Sequence, residues 1–249
     1  NYVAWCLKAN GGTTSSNTDG DITSTVQVNS DAGFSIVKWA SSNYSQTIGH
    51  GLDSQPDFII AKELDTTREW FVWHSELGNN FYLHLDTNDV YKEPNSGRLE
   101  VSGSDKFICG TDGTNQIAYV FKNVDGFSNF GSYRGTGSST DTPIIETGFE
   151  PAFVIIKVVN GNTGNWNIYD NKRNLTNPRT KYLLANSSNA ENSSSADNVN
   201  FLSNGFQLGP TTDANLNVTN NLYIYAAFAA DPDTEAPTVA NSFSTVTYS

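Results

Sequence analysis

The chain contains an internal repeat, and this feature constrains its fold more than any other. Four pairs of segments match in the same order: residues 33–35 (GFS) with 126–128 (GFS), 56–62 (PDFIIAK) with 151–157 (PAFVIIK), 104–110 (SDKFICG) with 203–209 (SNGFQLG), and 117–121 (IAYVF) with 224–228 (IYAAF). Repetition in one order over about 90 residues is typical of a domain duplicated in tandem. The matched positions are mostly apolar, aromatic, Gly or Pro, so they serve core packing and turns, and any chemistry is expected at unmatched positions.

Short apolar segments separated by turn residues predict β-strands. Val, Ile, Phe, Tyr and Trp concentrate in these segments, Gly, Asn, Asp, Ser and Pro separate them, and no 3.6-residue period is sustained. The sequence therefore predicts an all-β protein built from two tandem antiparallel β-sandwiches of jelly-roll or concanavalin-like type. The predicted strands are residues 2–7, 23–28, 34–39, 58–62, 70–74, 81–85, 99–102, 106–109, 117–121, 153–159, 166–169, 181–184, 199–202, 206–208 and 222–230.

The repeat also predicts the domain boundaries. We expect one sandwich over residues 33–125 and the other over 126–231. Residues 3–7 (VAWCL) resemble the last strand of each repeat, so residues 1–32 are predicted to hold the closing strand of a preceding repeat and a linker. That strand should pair with a sheet that lacks its own strand there, supplied by this chain or by a neighbouring one. Residues 232–249 are predicted to be a linker and the start of a following immunoglobulin-like module, because an acidic, Pro-bearing break precedes alternating apolar residues.

Composition narrows the function. A net charge of −12 disfavours binding to nucleic acid. The sequence contains no run of 18 apolar residues that could span a membrane. Two cysteines are too few for a disulfide scaffold or a Cys-based zinc site. We expect Cys6 and Cys109 to be buried thiols, with a long-range disulfide as the alternative.

The sequence offers little for catalysis. Three histidines are present, and we expect them at the surface or rim; His74 and Glu76 flank Ser75, but a relay cannot form between strand neighbours that face opposite ways. No strand places two carboxylates as glycoside hydrolysis requires. We therefore expect no catalytic residue and no cofactor, although Asp- and Asn-rich turns leave a structural Ca²⁺ possible without a definable ligand set.

Aromatic and polar residues in loops suggest a binding role instead. Sugars bind proteins by stacking on aromatic rings while polar side chains take their hydroxyl groups. The candidate ligand-binding residues are Tyr44, Arg68, Glu69, Asp170, Lys172, Arg173, Asn174 and Arg179. The alternative is that these side chains pair with local carboxylates.

Specificity is expected in segments that differ between the repeats, because loops can vary without disturbing a sandwich. These segments are residues 41–47, 64–69, 86–97, 160–165, 170–180 and 210–220. The first choice is 170–180, which carries the densest basic group of an acidic chain.

Several strings resemble a family of repeat-bearing virion proteins of tailed bacteriophages, especially aquatic ones. They are residues 2–6 (YVAWC), 10–20 (NGGTTSSNTDG), 48–52 (IGHGL), 148–157 (GFEPAFVIIK), 168–174 (IYDNKRN) and 201–206 (FLSNGF). The resemblance covers about residues 1–231, and the segment after residue 232 departs from the family pattern. A weaker similarity is to SPRY and other concanavalin-like sandwiches.

This resemblance implies a non-enzymatic tail-fibre or spike segment on the virion surface, outside the cell. It implies partners of two kinds: other copies or subunits of the appendage, in a homo-oligomer, and a glycan of the host surface. It brings no catalytic residue. Two other functions stay open, a bacterial extracellular carbohydrate-binding or adhesin module and a glycan hydrolase on a concanavalin-like scaffold.

Overall fold

The computed structural model describes residues 2–40, 45–79, 81–93, 98–110, 114–229 and 243–248. This part of the chain is built from β-strands and a single 3₁₀ turn at Ser75–Leu77, which confirms the all-β prediction. The chain divides into two compact units. The first comprises the described residues of Lys8–Asp86 and Tyr91–Asn123, and the second those of Asn1–Leu7, Thr87–Val90 and Val124–Ser249.

The first unit, called here the first sandwich, packs a large sheet against a small one. Its strands are β2 (Ser15–Asn17), β3 (Ser24–Asn29), β4 (Phe34–Ala40), β5 (Thr47–Gly49), β6 (Phe58–Glu63), β7 (Phe71–His74), β8 (Leu83–His84), β9 (Glu100–Ser102), β10 (Lys106–Ile108) and β11 (Asn115–Phe121). The large sheet has the order β2-β3-β4-β11-β6-β7-β8 and the small one β5-β10-β9. The two meet in one apolar core, where Trp39 of the large sheet contacts Phe107 of the small one edge to face at 5.4 Å.

The second sandwich repeats this order. Its strands are β12 (Ser128–Arg134), β13 (Ile144–Glu146), β14 (Pro151–Val158), β15 (Asn167–Asp170), β16 (Lys181–Leu184), β17 (Asn192–Ser193), β18 (Val199–Leu202), β19 (Gly205–Leu208) and β20 (Leu222–Ala229). The large sheet runs β12-β20-β14-β15-β16-β17 and the small one β13-β19-β18. Strands β4, β11, β6, β7 and β8 therefore correspond to β12, β20, β14, β15 and β16.

The long central strand of the second sandwich is buried on both faces. Every residue of β14 is buried, which explains its nearly continuous apolar sequence. Val154 and Ile156 point into the core, and Phe153 on the opposite face meets Trp5 edge to face at 5.5 Å. Trp5 belongs to β1 (Tyr2–Leu7), which pairs antiparallel with β21 (Phe243–Tyr248).

The two ends of the chain differ in detail from the sequence-based expectation. The closing-strand pattern of residues 3–7 does form a strand, and its partner β21 comes from this same chain. Residues 8–32, where a linker is expected, supply β2 and β3 to the large sheet of the first sandwich. The predicted linker after residue 232 lies outside the described residues up to residue 242.

Candidate functional site

The loop between β15 and β16 is held by a buried carboxylate at its base. Asp170 is fully buried and accepts hydrogen bonds from the backbone N–H groups of Lys172 at 3.0 Å and Arg173 at 2.8 Å. It also pairs with Arg173 Nε at 2.6 Å. Arg173 donates further to the Ile168 carbonyl at 3.0 Å and to Glu191 at 3.1 Å. Asp170 and Arg173 therefore fix the start of the loop.

The end of the same loop is held by Asn174 and Arg179. The Asn174 Oδ1 atom accepts from the Thr180 backbone N–H at 2.7 Å and from the Lys181 N–H at 3.1 Å. Arg179 is buried, donates to the Asn174 carbonyl, and lies 5.2 Å from the centre of the Phe201 ring. Burial lowers the pKa of the Arg179 guanidinium. Both residues thus brace the loop from inside.

The tip of this loop is exposed on a rigid base. Asn177 donates to the Phe201 carbonyl at 2.6 Å and accepts from the Phe201 N–H at 2.9 Å, as a paired strand residue would. Leu175 at the tip is 76% exposed, and Lys172 and Thr176 are also exposed. Of the five residues predicted in this loop, Lys172 is exposed, Arg173 and Asn174 are half-buried, and Asp170 and Arg179 are buried.

Arg68 and Glu69, the candidate pair of the first sandwich, lie in the loop between β6 and β7. This loop is exposed but pinned, because Asp65 accepts from the Asn115 N–H at 2.7 Å and the Thr114 hydroxyl at 2.8 Å. Hydrogen bonds to Asn115 and Thr114 lower the pKa of Asp65 to about 2. The loop therefore presents Arg68 and Glu69 from a fixed backbone.

The candidate residues belong to two different units of the chain. Arg68 and Glu69 follow β6, whereas the group from Asp170 to Arg179 follows β15, the counterpart of β7. Tyr44, the remaining candidate, lies outside the described residues.

Sequence reasoning missed a buried polar row at the β6–β7 loop end of the first sandwich. The row consists of Trp39, Gln116 and Glu63, all buried, and β-sheet pairing sets Gln116 directly opposite both others. Within the described residues, neither carboxylate oxygen of Glu63 accepts a hydrogen bond, and the indole N–H of Trp39 donates none. Arg68 Nε lies 3.9 Å from Glu63. Burial, with the Glu63 charge as the second cause, raises the pKa of the Cys109 thiol to about 12.

One sequence signal could have identified this row. Glu63 follows directly on the repeated segment 56–62, and its counterpart after 151–157 is Val158. A carboxylate in one copy at a position that is apolar in the other marks a site where the two cores differ.

Two histidines expected at the surface or rim are instead fully buried, which corrects that expectation. His50 Nδ1 accepts from the Leu52 N–H at 3.1 Å, and burial lowers the His50 pKa to about 4. His74 Nδ1 accepts from the Glu76 N–H at 3.2 Å. Both imidazoles therefore serve turns of the backbone.

The cysteines are both free, so the disulfide alternative is not realised. Cys109 is buried as expected, but Cys6 is exposed, since alternate residues of β1 face away from the second sandwich. Within the described ranges no cluster of three or more His, Cys, Asp or Glu is placed to hold a metal ion. No helix in that part of the chain has the length and apolar character to cross a membrane.

The fold and its loops define a tandem β-sandwich protein with variable, braced loops on a repeated frame. The chain belongs to the family described as a domain of unknown function, DUF7483, whose profile matches residues 1–232. That match spans both sandwiches together with β1. No curated protein and no solved structure matches the chain significantly.

Proposed function

We propose that the chain is a non-enzymatic structural segment of a tailed-phage tail fibre or spike, and that its loops attach the virion to glycans of the host surface. The observation that carries this proposal is the contrast between the shared strand order and the differing, braced loops. A loop that is already ordered loses less conformational entropy on binding, which favours affinity.

Duplication supports the same role. Two copies of one sandwich, and further copies in an oligomer, present weak sites in series, and linked weak sites bind far more tightly than one alone. The acidic surface, with 14 basic against 26 acidic residues, disfavours nonspecific adsorption to other polyanions.

Immunogold electron microscopy tests the placement on the virion. Antibodies against the purified chain would be applied to particles released by cells that carry the gene. Label on tail fibres or spikes is the expected result. Label on the bacterial surface in the absence of particles would overturn this proposal in favour of the adhesin function.

A cell-binding assay tests attachment to glycans. Fluorescent chain would be incubated with host cells before and after mild periodate treatment, which cleaves the vicinal diols of sugars. We expect saturable binding that periodate abolishes. Binding that survives periodate would contradict a glycan receptor, and release of sugar fragments during the assay would contradict a non-enzymatic role.

A further inference from the structure

The two sandwiches differ most sharply in one row of three side chains. In the first sandwich, Gln116 lies opposite Trp39 and Glu63. In the second, Tyr223 holds the position of Gln116 and lies opposite Tyr133 and Val158. Directly opposed residues on one face of a sheet have Cβ atoms about 5 Å apart, so each row is a set of touching neighbours at the same end of its core. The second sandwich is therefore an internal control for the first.

In the second sandwich this end of the core is closed by the chain itself. The Tyr133 hydroxyl donates to the Leu216 carbonyl at 2.9 Å, and the Tyr223 hydroxyl donates to the Ala214 carbonyl at 3.1 Å. Leu216 is fully buried in the core. The segment 214–218, called here the plug, thus accepts hydrogen bonds from both tyrosines and places Leu216 in the core.

Within the residues that the structure describes, the first sandwich shows no segment equivalent to the plug. There β10 ends at Ile108 and β11 begins at Asn115, whereas β19 ends at Leu208 and β20 begins only at Leu222. The connection between β10 and β11 is therefore much shorter than the one between β19 and β20, which contains the plug. At the corresponding end of its core, the first sandwich has the polar row of Trp39, Gln116 and Glu63.

Two members of the row carry polar groups whose hydrogen-bonding capacity is unused within the described residues. These are both carboxylate oxygens of Glu63, which is fully buried, and the indole N–H of Trp39. Buried polar groups are nearly always paired, and an unpaired buried carboxylate is strongly destabilising. Glu63 has an ion-pair contact with Arg68 Nε at 3.9 Å, on a side chain that is 42% exposed, and this contact is too long for a hydrogen bond. Buried polar groups that lower the stability of a fold in this way are typical of functional sites.

We propose that this polar row is a binding site for a neutral, hydroxyl-bearing ligand, in the class of a sugar residue. Glu63 needs a donor and Trp39 needs an acceptor, and a hydroxyl group is both. Trp39 and Glu63 lie on the two strands that flank Gln116, so the row offers a donor at one end and an acceptor at the other, and hydroxyl groups on two edges of one ring match this pair. Arg68, whose Nε lies 3.9 Å from Glu63, is a partly exposed residue in contact with the row.

Other ligand classes fit the row less well. A metal ion would meet one carboxylate beside an indole N–H and a guanidinium, and hard cations require several oxygen ligands. An anion would be repelled by the buried charge of Glu63. The inference rests on the proposed function for its ligand class, the glycan, but it places the site in the first sandwich.

A sugar titration of the full chain tests the site. The probes are D-glucose, D-galactose, D-mannose and N-acetyl-D-glucosamine, each followed by ¹H–¹⁵N spectra of the indole N–H groups. The chain has five tryptophans, and Trp39→Phe identifies the Trp39 signal. We expect at least one sugar to shift that signal saturably. Glu63→Val, which copies Val158, should weaken the affinity at least about tenfold while raising the melting temperature.

Tyr133→Phe in the second sandwich is the matched control, and it should leave the sugar affinity unchanged. The proposal is overturned if none of the four sugars shifts the Trp39 signal, as expected if the row holds only water. It is also overturned if Glu63→Val binds sugar as well as the native chain. Cell binding separates the two proposals: native-level attachment by Glu63→Val removes this site and leaves the proposed function standing, whereas lack of attachment by the native chain removes the function.

Discussion

His74 and Asp170 occupy the same position in the two sandwiches and perform the same task with different chemistry. Each ends a strand opposite a phenylalanine of the central strand, Phe58 for His74 and Phe153 for Asp170. Each is fully buried and accepts a hydrogen bond from the backbone N–H two residues further on. Imidazole and carboxylate are interchangeable here because the turn requires only an acceptor at this point.

Asp170 differs from His74 in also neutralising an arginine, and this leads to the first prediction. Asp170→Asn keeps an acceptor for the turn but leaves the Arg173 guanidinium, 6% exposed, without its closest carboxylate. We expect the free energy of unfolding to fall by about 3 kcal/mol, as for a buried pair that loses one partner. Urea denaturation measures it. Lys172→Ala is the control and should change stability by less than about 0.5 kcal/mol; an equal loss in both variants would contradict the assignment.

The second prediction concerns the tip of the 170–180 loop. Lys172→Ser combined with Leu175→Ser removes exposed groups and leaves the bracing bonds intact, so folding should be unaffected. Host-cell binding should weaken several-fold. Arg173→Ser should instead lower the melting temperature, because Arg173 braces the loop. If the double variant binds cells as strongly as the native chain, this tip is not the attachment surface.

The third prediction is a pH dependence of stability that comes from His50. Its pKa is about 4 in the folded chain, against the usual 6.5 of a histidine, so the unfolded chain binds more protons between these values. The contribution of His50 to the free energy of unfolding is therefore complete above about pH 6.5. It is lost as the pH falls towards 4, and the total loss is about 3 kcal/mol.

His50→Thr provides the matched variant for that measurement. Thr147 is the counterpart of His50: the His50 N–H donates to the Asp105 carbonyl at 3.1 Å, and the Thr147 N–H donates to the Asn204 carbonyl at 3.0 Å. Unfolding free energies measured from about pH 7 to pH 4 should fall less steeply in the variant. Parallel curves for variant and native chain would show that His50 is not the source.

The fourth prediction concerns the two thiols. Cys6 is exposed, whereas Cys109 is buried with its pKa raised to about 12, and only a thiolate is nucleophilic. A maleimide should label one thiol per folded chain and two in denaturant, with Cys6→Ser abolishing labelling of the folded form. Labelling of Cys109 in the folded chain would show that this core opens.

The repeat marks Glu63 as a point of difference between the two copies, but it does not show that Glu63 lies close to Cys109. The match of 56–62 with 151–157 stops one residue before Glu63, and nothing in the local pattern places Glu63 beside residues 39 and 116. The same holds for Arg173 and Arg179, whose density suggests a surface patch but which the fold turns inward.

The sequence by itself determined the all-β class, the duplication and most long strands, because apolar alternation and repetition are local properties of the chain. Very short strands such as β5 and β13 escaped it, since three residues cannot show a period. Only the tertiary structure decided the partners. It pairs β1 with β21 and adds β2 and β3 to a sheet. It also shifts one strand by one residue between the two copies. Phe34 and Phe127 match in the repeat, yet Phe34 lies opposite Phe121 whereas Ser128, not Phe127, lies opposite Phe228. A shift of one residue exchanges the two faces of a strand, and pairing between distant segments fixes it.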